Sequence, residues 1–91
     1  MTSMPAHVDA DALGTFTGQL QTYIEAVNDE TSTFKRALDD VHDTWDDEKY
    51  NEFAEIFEQL QKVIKSFTEN AEEQVPRLKQ MEQDIRDYAS R

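Results

Sequence analysis

Apolar residues return every seven positions along nearly the whole chain, and that spacing leaves few folds open. Leu13, Leu20, Val27, Phe34 and Val41 make one row, and Thr17, Ile24, Thr31, Leu38 and Trp45 make a second, four positions on. After an interruption at Thr44-Trp45-Asp46-Asp47 the spacing resumes. Phe53, Leu60, Phe67, Gln74, Met81 and Tyr88 form one row of the second half, and Phe57, Ile64, Ala71, Leu78 and Ile85 form the other. Two such rows make a single stripe on an α-helix, since seven residues nearly complete two turns. A strand needs alternation with a period of two, and no segment has it. The chain is predicted to be all-α.

Local signals place the ends. Residues 1–8 carry Pro5 and small polar side chains and read as a flexible arm, leaving residues 9–91 as one domain. Asp9 suits an N-cap, and Asp11 suits the positive first turn. The first helix should run to about His42 or Asp43. The chain should then reverse over residues 44–47, with Thr44 or Asp46 capping the second helix. Pro76 lies inside the second run, removes one backbone donor and crowds the carbonyl of Glu72, so that helix is predicted to kink or break there.

A short connection makes the helices antiparallel neighbours, and the rows then fix a register. One solution sets Leu38 by Phe53, Phe34 by Phe57, Val27 by Ile64 and Leu20 by Ala71. It also pairs the two polar seam residues, Thr17 and Gln74. A slip of one heptad would set Leu38 by Leu60 and press Gln74 against Ile24, burying a lone amide at a cost. The first register is therefore expected. Trp45 should close the end of the seam, partly buried near Val41 and Tyr50.

Composition narrows the function. The 91 residues carry 20 Asp and Glu against 9 Lys and Arg, a formal charge of −11. That repels nucleic acid and anionic membranes and favours solubility and basic partners. No stretch approaches the roughly 18 apolar residues of a membrane span, and residues 1–10 lack the basic start and apolar run of a cleavable signal. The expectation is cytoplasmic residence, or export by a route that needs no such peptide. There is no Cys, and the only His are His7 and His42. Nucleophile–base pairs and Gly-rich phosphate loops are missing, so no catalytic residue, cofactor or enzyme activity is expected. Asp39, Asp40, Asp43, Asp46, Asp47 and Glu48 gather at the turn. They lack the spacing and glycine of a calcium loop and read as capping and solvation rather than a metal site. Gly14 and Gly18 form a GxxxG that would let another helix approach closely.

Trp45 at a helix–turn–helix junction, with Phe53 eight positions later and Val41 and Leu38 before it, resembles the WXG family. These are small helical hairpins secreted by type VII systems. The likeness in architecture covers nearly the whole chain, although its diagnostic motif is short. Asp47 stands where the family has glycine, and the family's export signal, Tyr followed four residues later by an acid, has no counterpart after Tyr88. The resemblance implies a divergent hairpin, or a partner of a larger effector, in a secretion or toxin system.

Two helices cannot cover all the apolar residues this chain carries. Phe16, Tyr23, Ile56, Val63 and Val75 lie beside the seam. Ile85 and Tyr88, with Met81 at the edge, should overhang the start of the first helix. Together Phe16, Tyr23, Ile56, Val63, Met81, Ile85 and Tyr88 form the candidate interface, with Trp45, Asp47, Phe53 and Val41 at the turn and seam. The predicted function is a protein-interaction module that pairs with itself or a related hairpin as a dimeric four-helix bundle, or binds a larger effector or secretion component. A subunit of a helical filament or secretion needle, or a cytosolic acidic adaptor, are the alternative classes.

Overall fold

A computed structural model describes residues 8–90, so residues 1–7 of the N-terminal arm, His7 included, and Arg91 lie outside the described part. The described chain is two helices, α1 (Ala10–Val41) and α2 (Glu48–Ala89). They are antiparallel: Trp45 and Tyr50 meet at the turn, Tyr23 meets Phe67 midway, and Asp11 meets Arg86 at the open end. The molecule is a rod 66 Å long. The all-α hairpin expected from the heptads is the fold.

Both helices start on aspartate caps. Asp9 accepts from the Ala12 amide at 2.9 Å, as expected. The second cap is Asp47, rather than Thr44 or Asp46, and its carboxylate accepts from the Tyr50 amide at 3.0 Å. Asp47 can do this because its backbone is extended, which aims the side chain at the first turn. α2 runs through Pro76 without interruption, so of the two expected outcomes a break is excluded. A missing hydrogen bond in mid-helix is tolerated when neighbouring turns and packing hold the backbone, and Val75 beside it is buried.

One heptad row of α1 forms its seam as expected, whereas Phe34 and Val41, at the end of the other row, are exposed. Thr17, Ile24 and Leu38 are buried, with Thr31 and Trp45 partly so. The seam of α2 differs from the expected one. Tyr50, Phe57 and Ala71 are buried as the heptad implies, but the row flanking them is Ala54, Gln61, Thr68 and Val75. The row of Phe53, Leu60 and Phe67 is exposed, and Gln74 with it. α2 is rolled so that small residues, Ala54, Thr68 and Ala71, lie against α1 and allow close approach. The bulky row is carried outward. Val75, expected beside the seam, belongs to the core with Ile24 and Ala71, and Leu20 packs on them.

The expected Thr17–Gln74 match fails for the same reason. Gln74 faces solvent, and the buried Thr17 hydroxyl donates to the carbonyl of Leu13 on its own helix at 2.9 Å. Thr68 is satisfied likewise by the Lys65 carbonyl. Buried threonines thus need no cross-helix partner. The register itself stays close to the expected one. Phe57 stacks edge-on against Phe34 at 5.1 Å, and Leu20 packs at Ala71. Leu38 clusters with Tyr50 and Phe57, with Ala54 against it in the place expected for Phe53.

Candidate protein-interaction face

The turn end is the best-filled part of the molecule. Leu38, Tyr50 and Phe57 form its core, with Trp45 and Ala54 packed on them. Trp45 meets Tyr50 edge-on at 5.5 Å, and its amide donates to the Val41 carbonyl at 2.9 Å. His42 stacks on the Tyr50 ring at 4.1 Å, and its Nε2 lies 3.2 Å from Asp46. Trp45 therefore closes the seam at Tyr50. Among the acids of the turn, Asp47 caps α2, Asp46 faces His42 and Asp39 pairs with Lys35. Among the described residues no three His, Asp or Glu converge as a metal site would need.

The open end is tied by charge. The Arg86 guanidinium bonds Glu82 on its own helix at 2.8 Å and Asp11 of α1 at 2.9 Å. The Glu82 bond, then that to Asp11, raises the guanidinium pKa, so the group is a permanent cation. Gly14 makes room here: a Cβ on it would stand 2.9 Å from the Glu82 carboxylate. Gly18 has nothing within 4 Å, so of the GxxxG pair only Gly14 is closely approached. The expected overhang of Ile85 is met by Val8, Asp9 and Ala10, which line one depression with it. Ile85 and Met81 are half-buried, and Tyr88 stays exposed.

Between these ends the two sides of the hairpin differ in character. On one side a shallow groove is lined by Gln21, Glu25, Asn28 and Glu72 around Ile24 and Val75. The other side is apolar. α1 brings Phe16, Tyr23, Phe34 and Val41 to it, and α2 brings Phe53, Ile56, Leu60, Val63 and Phe67, all at least 40% exposed. Ring contacts across the seam put these rows on one side. Tyr23 meets Phe67 and Phe34 meets Phe53, each with centroids 6.1 Å apart. Phe16 lies seven residues before Tyr23, and Val63 seven after Ile56, so they extend the same rows. A contiguous apolar face of this length is unusual on an isolated chain in water.

Of the residues singled out from sequence, Phe16, Tyr23, Ile56 and Val63 lie on this face. Met81, Ile85 and Tyr88 lie toward the open end, apart from its centre. Phe53 and Val41, assigned to the seam, are each 40% exposed and form its open edge instead. Glu30 was missed. It lines a groove with Thr31, Phe34, Phe53, Ile56 and Leu60. The signal was in the sequence: Phe16, Tyr23, Glu30 and Ala37 are one heptad row. No described helix is long and apolar enough to cross a membrane. Comparison with protein-family models, with curated proteins and with solved structures gives no match.

Proposed function

We propose that this chain is a non-catalytic protein-interaction module: a WXG-like helical hairpin, serving a type VII-like secretion or toxin system, whose apolar face takes a second helical element to complete a four-helix bundle. One observation carries the reading. Large apolar side chains of both helices, Ile56 at 62% and Val63 at 65% exposure among them, stand on the same side of the rod. Two helices bury one stripe each, and a hairpin with a further apolar stripe needs another layer. The link to secretion rests on the resemblance around Trp45 and Phe53.

Purification of the tagged chain from its own cells, beside the double variant Ile56→Glu/Val63→Glu, tests this. The wild-type chain should retain a stoichiometric companion that is a helical hairpin, or carries one, and the variant should lose it. Identical companions on both proteins would refute the face as the docking surface. A companion without helical-hairpin or secretion character would refute the system assigned.

A further inference from the structure

We infer that the apolar face takes a second copy of this chain, turned end for end about a two-fold axis across the middle of the rod, so that Glu30 of each copy meets Arg77 of the other. The inference rests on the reading of this face as a docking surface and adds what docks there. Its basis is the polar residues that the face carries. The outer row of α1 that begins at Phe16 holds one charged side chain, Glu30. The outer row of α2 that contains Ile56 and Val63 continues at heptad spacing to Asn70 and Arg77. All three polar residues are exposed, and among the described residues neither Glu30 nor Arg77 joins an ion pair. Within one chain they cannot meet. From the level where Tyr23 touches Phe67, Glu30 lies seven residues toward the turn and Arg77 ten toward the open end, about 25 Å apart along the rod.

A partner that covers the whole face must set a cation against Glu30 and an anion against Arg77, about 25 Å further on. A copy turned end for end presents both. The axis that brings the two levels together lies midway between them, about one and a half residues on the open-end side of Phe67. That is also the midpoint of α2, which extends 19 residues from Phe67 to Glu48 and 22 residues to Ala89. Charge matching and full-length overlap of the two rods therefore call for the same axis. It lays α2 on α2 of the mate, so the two Asn70 amides stand opposite each other, about 4.5 Å apart along the rod, and can hydrogen-bond across the axis. Gln74, exposed on the Phe67 row, comes to within about 4.5 Å of the level of the mate's Glu30. Glu30 and the partner's Arg77 sit on helices diagonal to each other in the bundle. Their axes are about 13 Å apart, a span that an extended guanidinium and carboxylate cross. Other axes answer less. An axis along the rod lays α1 on α2 of the mate and presses Glu30 onto Leu60 and Val63, where its charge is desolvated without a partner. An axis that brings Lys49 to Glu30 sits near the turn. It overlaps the copies over only about 20 Å of their 66 Å length and leaves Phe16, Tyr23 and Phe67 uncovered.

Each copy carries a formal charge of −11, and that repulsion keeps the pairing weak. The test is sedimentation equilibrium of the full chain in about 0.15 M salt, where wild type should be monomeric at about 1 µM and dimeric at about 200 µM. Glu30→Arg and Arg77→Glu each set like charges together and should raise the dissociation constant at least about tenfold. An equimolar mixture of these two variants should regain the wild-type dimer, because one copy then carries both cations and the other both anions. The double variant Glu30→Arg/Arg77→Glu should likewise pair as wild type does. Wild type that stays monomeric at every concentration, a dimer that neither single variant weakens, or a mixture no more dimeric than its components would overturn the inference while leaving the docking face standing. A wild-type dimer that Ile56→Glu/Val63→Glu leaves intact would sink the docking face as well.

Discussion

Replacing Phe57 and Phe67 separately by Ala separates the seam of this hairpin from its open face. Heptad spacing gives the two residues equal rank, but Phe57 is 6% exposed and Phe67 46%. Emptying a buried Phe site costs roughly 3–5 kcal/mol, including the cavity left behind. About half of the Phe67 ring is already in water, and no closed cavity remains when it is removed, so its loss should cost about 1 kcal/mol. Two other contributions nearly cancel between the variants. Each gains the same small helix-propensity benefit of Ala, and each loses an aromatic pair, Phe57 with Phe34 and Phe67 with Tyr23. For a domain of this size 1 kcal/mol moves the melting midpoint by roughly 4–8 °C. Thermal melts of the dilute chain followed by circular dichroism should show Phe57→Ala lowered by at least about 12 °C and Phe67→Ala by less than about 8 °C. Equal shifts, or a larger one for Phe67→Ala, would mean that the bulky row of α2 forms the seam and that the roll of α2 described above is wrong.

Other substitutions follow from single features. Asp47→Ala should lower stability by about 1 kcal/mol in urea denaturation, whereas Asp47→Gly should lower it by only a few tenths, since glycine is nearly as good at an N-cap; equal losses would deny Asp47 its capping role. Pro76→Ala restores a donor for the Glu72 carbonyl in the middle of α2 and should raise stability by up to about 3 kcal/mol. A loss instead would show that the ring contributes packing worth more than the missing bond. Trp45→Ala should cost about 2 kcal/mol, less than a fully buried Trp because the residue is only partly buried beside Tyr50; a melt identical to wild type would assign Trp45 to partner binding alone.

Most of the fold was legible because heptad spacing, capping acids and the turn interruption agree with one another. The inner row of α1 (Thr17, Ile24, Thr31 and Leu38), the Asp9 cap, the Trp45 closure and the approximate register are all as the spacing implies. The orientation of α2 was not legible, since hydrophobicity favours the row of Phe53, Leu60 and Phe67 over that of Ala54, Gln61, Thr68 and Val75. Helix packing favours whichever face lets the backbones approach, and small residues win that contest here. The same difference explains the misplacement of Gln74, Val75, Phe53 and Val41. The candidate face was half legible: Phe16, Tyr23, Ile56 and Val63 stood out as apolar residues beside the seam. Glu30 did not, because a charged residue on a helix is ordinarily solvated and becomes informative only once its row is known to be apolar on either side.

The face is accessible only if it is no part of the hairpin's own core, and the stability of the isolated Ile56→Glu/Val63→Glu chain tests that most directly. Both side chains are more than 60% exposed, and glutamate favours helix at least as well as either. Urea denaturation of this variant in dilute solution, where copies are apart, should therefore match wild type within about 0.5 kcal/mol. A loss above about 2 kcal/mol would contradict it, because only side chains already buried within the chain are so costly to charge there.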